Sequence, residues 1–259
     1  MKLQGRTAVV TGAASGIGRA TAQALAERGV RVFAADIDEK GLADFSGHPQ
    51  IQAVPCDVAD PSSVQALCHL AQSEAGGIDI WHNNAGIGVG KPAEDMSIED
   101  YHRVLDINLR GVIHGVHAVL PGMLTSGRGI IVNTASVLGL VGTPYSAAYC
   151  ASKFGVMGLS RSLDAELSPR GVRVLAICPG LVDTEIIQRG DVRVPGRDRE
   201  QLLARWRQGV SPEVVARAVL RAIETERAVT LVPAHARAIR ALNLLPAGLR
   251  HRLMHLFKV

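Results

Sequence analysis

The sequence has no uninterrupted apolar run of the ~18 residues that a membrane-crossing helix needs, so it gives no reason to expect a bilayer span. Its first residues, MKLQGRTAVVTG, move straight into a strand-like run, without the h-region and cleavage site of a secretory signal. That start predicts a cytoplasmic protein. Cys56, Cys68, Cys150 and Cys178 form no C-x-x-C pair, and with the nine histidines they make no metal-ligand or triad spacing. Buried reduced thiols are expected, and no metal. Aromatic residues make up only 3% of the chain, and of its three tyrosines two, Tyr145 and Tyr149, lie close together. Acidic residues stop at Glu226. From Arg227 onward there are six basic residues and none acidic, which leaves 22 basic against 24 acidic before that point. The overall charge of +4 therefore hides a body of net −2, which argues against nucleic acid as a partner of the body.

What is present is a regular alternation of β-rich and helical patterns. Strand-like runs occupy 7–11, 30–36, 51–58, 78–86, 127–136, 171–180 and 228–233, and helical patterns occupy 16–29, 61–77, about 97–120, about 147–168 and 211–226. The strands read as continuous Val/Ile/Ala runs, as strands buried on both faces do. Alternation of this kind predicts an α/β fold. The expected architecture is a doubly wound, Rossmann-type sheet of about seven mainly parallel strands with helices on both faces. One domain over 1–233 is expected, followed by a basic C-terminal helical extension over 234–259. The polar, Gly/Pro-broken stretch 185–210 reads as a mobile loop with one helix.

The first strand runs into TGAASGIGRA, which puts Gly12, Gly16 and Gly18 in the turn before a helix. A backbone without Cβ atoms can approach a pyrophosphate closely, and the helix start supplies N–H groups and a positive dipole end. The second strand ends at Asp36, 18 residues past Gly18. A carboxylate there can accept both ribose hydroxyls of an adenosine and repels a 2′-phosphate. Further on, SAAYCASKFG places Tyr149 and Lys153 on one face of a helix, at i and i+4.

In order along the chain, TGAASGIG, CDV (56–58), NNAG (83–86), NLRG (108–111), NTAS (133–136), YCASK (149–153) and PGLVDT (179–184) resemble the motifs of the short-chain dehydrogenase/reductase family, over about residues 5 to 232. The resemblance implies a single-domain oxidoreductase in which Tyr149 is general acid/base, Lys153 holds the nicotinamide ribose and promotes the phenolate, Ser136 bonds the substrate oxygen, and Asn108 holds a water in the proton relay. It implies cofactor contacts from Gly12, Ser15, Gly16, Ile17, Gly18 and Asp36. Further contacts would come from Asp57 and Val58 at the adenine, from Asn84, Ala85 and Gly86 behind its ribose, and from Pro179, Gly180 and Thr184 at the nicotinamide, besides Tyr149 and Lys153. Neither Ser15 nor Ile37 is basic, which favours NAD over NADP. A phenol working near neutrality needs its pKa lowered by about three units, or about 4 kcal/mol, so Lys153 must act in a partly dehydrated pocket.

The resemblance places the substrate against Ser136, Leu138, Tyr145, Tyr149 and Leu181, with Val137, Leu140, Val141, Ile186 and Ile187 nearby. The set is apolar and holds no Arg or Lys to fix a carboxylate. A hydrophobic alcohol or ketone is expected, whether alicyclic, steroid-like, terpenoid or long-chain. Reduction of an enoyl or imine group, or dinucleotide binding without turnover in a sensor or scaffold, are the rival readings. A homodimer or homotetramer through the helices at 97–120 and 147–168 is implied. In the tail, Leu249, Leu253, Leu256 and Phe257 fall on one helical face among basic residues. Such a face can pack on a neighbouring subunit, shield the active-site mouth or lie peripherally on a membrane.

Overall fold

The computed structural model describes residues 1–233, the side chains of Ile187 and Arg189 apart; the predicted tail helices, and all of 234–259, lie outside the described residues. Seven strands form the main sheet: β1 (Thr7–Thr11), β2 (Arg31–Asp36), β3 (Ile51–Pro55), β4 (Ile80–Asn83), β5 (Gly129–Thr134), β6 (Val172–Pro179) and β7 (Val229–Val232). They lie in the order β3-β2-β1-β4-β5-β6-β7 and every pairing is parallel. The order reverses between β1 and β4, so a crevice opens beyond the carboxyl ends of those two strands.

Neighbouring residues of each strand feed opposite layers. Ala8 and Val10 pack with Val32, Ile80, Val132 and Ile177 against α1 (Gly16–Ala26) and the late helix α7 (Pro212–Thr225). Val9, Phe33, Trp81, Ile131 and Val174 face the other way, against α2 (Pro61–Ala75) and the apolar side of α4 (Gly111–Ser126). The period-2 alternation of strand side chains thus fills both faces, which is why these runs lack polar positions. α2 opens with Pro61 after an Asp60 cap and closes on left-handed Gly76, the two ends predicted from its sequence.

The regular turns of α1 end at Ala26, and Gly29 closes the helix as its sequence predicts: it takes φ +75, and the Gly29 and Val30 N–H groups donate to the Ala26 and Leu25 carbonyls. Two expectations need correction. The helix expected over 97–120 is α3 (Ile98–Leu105), a π turn at Asp106–Arg110, and α4, because one wider turn swings Asn108 inward. The stretch 185–210 is more than a loop with one helix. It holds a short helix at Ile186–Arg189, the helix α6 (Arg199–Trp206), and Asp191–Val192 paired in parallel with Val89–Gly90. That pairing is invisible locally because each partner is two residues long. The remaining long helix, α5 (Ala147–Leu167), packs on β6 and carries Tyr149 and Lys153 in its first two turns.

Candidate active site

A cavity of about 600 Å³ runs along the carboxyl ends of the strands, from Asp36 at one end to Trp206 at the other. Backbone geometry forms its floor. Gly12 and Gly16 have φ of +66 and +51, a region closed to most side chains. A Cβ on Gly12 would lie 2.7 Å from the Ala85 Cα, and one on Gly18 would lie 2.0 Å from the Gly12 oxygen. Gly18 therefore does not line the cavity; it is required by the close packing of α1 on the loop, which corrects its assignment as a contact residue.

At the Asp36 end the carboxylate accepts from the Ala14 N–H at 2.9 Å and the Asp38 N–H at 3.0 Å. It thereby ties the glycine loop to the end of β2. Ser15 caps α1 without a side-chain bond, and no acidic residue sits in that helix's first turn, so the positive end of the helix faces the cavity uncompensated. Ile37 stands 70% exposed beside Asp36. The nearby lining, Ser15, Ile37, Cys56 and Asp57, contains no cation. Arg19 is committed to the carbonyls of Ala14 and Gly41 and to Asp44. A dinucleotide fits these features: free N–H groups for phosphates, a carboxylate for ribose hydroxyls and an apolar ledge for the base. Gly12, Ser15, Gly16, Ile17, Asp57, Val58, Asn84, Ala85, Gly86, Pro179, Gly180 and Thr184 all line the same cavity.

The opposite half gathers Ser136, Tyr149 and Lys153. Ser136 leaves β5 in extended conformation; its Oγ accepts from the Leu138 N–H at 3.1 Å, donates to the Pro179 carbonyl at 3.4 Å, and lies close enough to Tyr149 to act on its phenol. Tyr149 keeps part of its surface open to the cavity, yet protein encloses it over the longer range on which water stabilises charge. Burial therefore raises its pKa to about 12, with the Ser136 hydrogen bond pulling the other way. Lys153 is 3% exposed. Its Nζ donates to the Thr134 carbonyl at 2.8 Å and lies 5.6 Å from the centre of the Tyr149 ring. Burial lowers its pKa to about 8. The lowered phenol pKa expected from sequence is thus absent from the protein alone, because desolvation outweighs every favourable contact the two groups have.

Asn108 does not line the cavity. It is fully buried, accepts from the Ile87 N–H at 2.8 Å, and donates to the Ile87 carbonyl at 2.9 Å and Ser152 Oγ at 3.3 Å. Its amide braces the wall at Ile87; it makes no direct contact with the cavity. A Cβ on Gly86 would meet Asn108 Oδ1 at 3.2 Å and Lys153 Nζ at 3.7 Å, so the bare backbone at Gly86 leaves room for both side chains.

The sequence reading missed His82. Buried on β4, it joins its Nε2 to Thr134 Oγ1 at 2.9 Å, and that hydroxyl donates to Asn84 Oδ1 at 3.2 Å. Because the Thr134 proton goes to Asn84, His82 must be the donor to Thr134. Asn84 in turn donates to the carbonyls of Thr11 and Gly12. Desolvation lowers the His82 pKa to about 3, so the imidazole is neutral. One directed chain thus runs from β4 through Thr134, whose carbonyl holds Lys153, to the glycine loop.

On the substrate side Leu138, Tyr145 and Leu181 line the cavity, as do Val137, Val141 and Ile186; Leu140 is core and does not. Tyr145 holds φ +64, uncommon for a bulky residue and of the kind found at functional sites. Val192, Val194, Arg205 and Trp206 also line the cavity. Arg205 adds a cation to this lining that the residues named from the sequence do not include. It comes from α6, which reaches the site only through tertiary packing.

The family model for short chain dehydrogenases matches residues 6–191. A D-threitol dehydrogenase of Mycolicibacterium smegmatis is 41% identical over 226 residues, covering 84% of this chain and 86% of its own. A cis-4-hydroxycyclohexanecarboxylate dehydrogenase of Sinomonas cyclohexanicum is 42% identical over 224 residues, 83% of this chain and 87% of its own. Among solved structures, a short-chain dehydrogenase/reductase from Burkholderia phymatum in complex with NAD is similar with a TM-score of 0.85 and 32% identity, covering 100% of this chain and 97% of that one.

Proposed function

The chain belongs to the short-chain dehydrogenase/reductase family, an oxidoreductase using a nicotinamide dinucleotide, and from that premise we propose that it interconverts a hydrophobic alcohol and its ketone or aldehyde with NAD. The observation that carries this reading is the meeting of Ser136, Tyr149 and Lys153 in one cavity that also reaches Asp36. When bound, the dinucleotide supplies the hydride acceptor or donor. The protein's tasks are to place the substrate oxygen and to move one proton. The Tyr149 hydroxyl takes or gives that proton, and the Ser136 hydroxyl donates a hydrogen bond to the same oxygen as charge develops on it. Lys153 keeps a positive charge near the phenol, held in place by the Thr134 carbonyl. Asn108 positions the wall beside Lys153 through Ile87.

NAD over NADP is supported by Asp36, by the cation-free lining around it, and by the commitment of Arg19 to its own loop. The two relatives described above act on different alcohols, an open-chain polyol and a ring alcohol. The apolar lining here (Val137, Leu138, Val141, Leu181, Ile186, Val192) favours the ring over the polyol. Self-association through α4 and α5 is supported by Ile113 and Phe154, which are large, apolar and exposed on those helices.

A panel of ring, long-chain and polyol alcohols, followed by nicotinamide absorbance with NAD and with NADP, tests the reading. Ring alcohols with NAD are expected to give the highest kcat/KM. Tyr149→Phe is expected to lower kcat by about 10²–10⁴-fold, the usual worth of one acid/base group, with dinucleotide affinity retained. Wild-type turnover by that variant would falsify the assignment.

A further inference from the structure

We propose that the outer end of the cavity is a carboxylate-binding position built on Arg205, so that the natural substrate is a hydrophobic hydroxy or oxo acid whose acid group lies away from the reacting carbon. The inference rests on the alcohol-oxidising reading above and names its substrate class. Arg205 and Trp206 share the last turn of α6 and both line the cavity that holds Tyr149. That turn is anchored against the exit of β6: the Val210 N–H donates to the Leu181 carbonyl at 3.0 Å and the Asp183 N–H to the Val210 carbonyl at 2.9 Å. The backbone that carries Arg205 is therefore tied to the cavity wall, while its side chain is exposed at the rim.

Arg205 makes no ion pair among the described residues. Its neighbours in the segment are spoken for: Arg193 bonds Asp191, Arg199 bonds the Gln188 carbonyl, and Arg197 has its own interaction. Glu185, a carboxylate that also lines this part of the cavity, is likewise engaged. A cation in the last turn of a helix complements the helix dipole; here the same cation also belongs to the lining of the cavity that holds Tyr149. Trp206, next in the chain, also lines the cavity. A carboxylate drawn in by Arg205 is held by the guanidinium through parallel N–H···O bonds. The same lining includes Leu181, Ile186, Val192 and Val194, which fits an apolar spacer and not a small hydroxy acid.

The test needs no knowledge of the natural substrate. Cyclohexanecarboxylate and its uncharged isostere cyclohexanecarboxamide are titrated into the protein–dinucleotide complex by calorimetry, with tryptophan fluorescence as a second readout, since Trp81 is buried and Trp206 lines the cavity. The carboxylate is expected to bind about five- to tenfold more tightly, the worth of one partly screened charge-assisted pair. That advantage should shrink as salt is raised, vanish in Arg205→Gln and largely survive in Arg205→Lys. Equal affinity of the two ligands, or a preference that persists in Arg205→Gln, overturns the proposal. Should the wild-type protein oxidise neutral ring alcohols with NAD while showing no preference for the carboxylate, only this inference fails. Absence of oxidation of every alcohol, charged or neutral, instead removes the reading beneath it.

Discussion

Lys153→Met isolates what the ammonium does for Tyr149. At the 5.6 Å separating Nζ from the ring centre, opposite unit charges attract by about 3 kcal/mol at an effective dielectric of about 20. That equals about two pKa units. In the protein alone, burial holds the phenol at about 12 and the ammonium at about 8. Burial therefore works against phenolate beside ammonium in the protein alone; their attraction works for it, and the substrate and the bound dinucleotide must supply the rest. Removing the charge is expected to move the rising limb of kcat/KM for alcohol oxidation about two pH units higher, and to cut the rate near neutrality about 100-fold. The lysine pKa is lowered, so its charge is present below about pH 8 and fades above it; the help it gives is weakest at alkaline pH. The profile should be measured at saturating dinucleotide, with dinucleotide affinity titrated separately. A fall in rate with the limb unmoved would show that Lys153 acts by holding ligand or backbone, and would refute the electrostatic argument.

Two further outcomes follow from the geometry. Asp36→Ser combined with Ile37→Arg is expected to raise NADP use relative to NAD by at least about tenfold, since it removes one repulsion and adds a guanidinium for the 2′-phosphate; unchanged selectivity in initial-rate assays would place discrimination elsewhere. Lys91 is buried and its Nζ bonds Asp100 at 2.8 Å and Asp191 at 2.7 Å, tying the 185–194 segment to α3. Lys91→Met leaves two carboxylates facing each other and is expected to raise KM for the alcohol with little change in dinucleotide affinity. Both carboxyl pKa values are lowered chiefly by Lys91. In the wild type the clamp is therefore intact above the usual carboxylate range and lost as pH falls below it, so KM should rise on acidification, and do so less in the variant.

The dinucleotide half of the site was legible because its devices are local. A turn of glycines between a strand and a helix, a carboxylate at the next strand's end, and a tyrosine and lysine one helical turn apart each leave a mark within ten or twenty residues. What stayed hidden depends on distance in the chain. Nothing around Asn108 announces a π turn, since that turn is stabilised by bonds to Ile87 and Ser152. His82 reads as a polar interruption of a buried strand until Thr134 is placed beside it by β-pairing. Gly18 has the spacing of a ligand contact, yet the oxygen it must avoid belongs to Gly12.

The same division separates chemistry from selectivity. Ser136, Tyr149 and Lys153 are held by β5 and α5, whose positions follow from packing in the sheet core: Val156 and Met157, one turn beyond Lys153, are buried against Ala176 and Cys178 of β6. Any disturbance of those residues costs stability as well as rate. The opposing wall is held by less: two backbone pairs at Val89–Gly90 and Asp191–Val192, the Lys91 clamp, and the bonds joining Leu181 to Val210. Substitutions at Ile186, Val194 or Arg205 alter what fits without touching the core. Substrate preference in this protein can therefore shift through 185–210 alone, with the proton-transfer residues unmoved, and KM is the quantity in which changes there should register first.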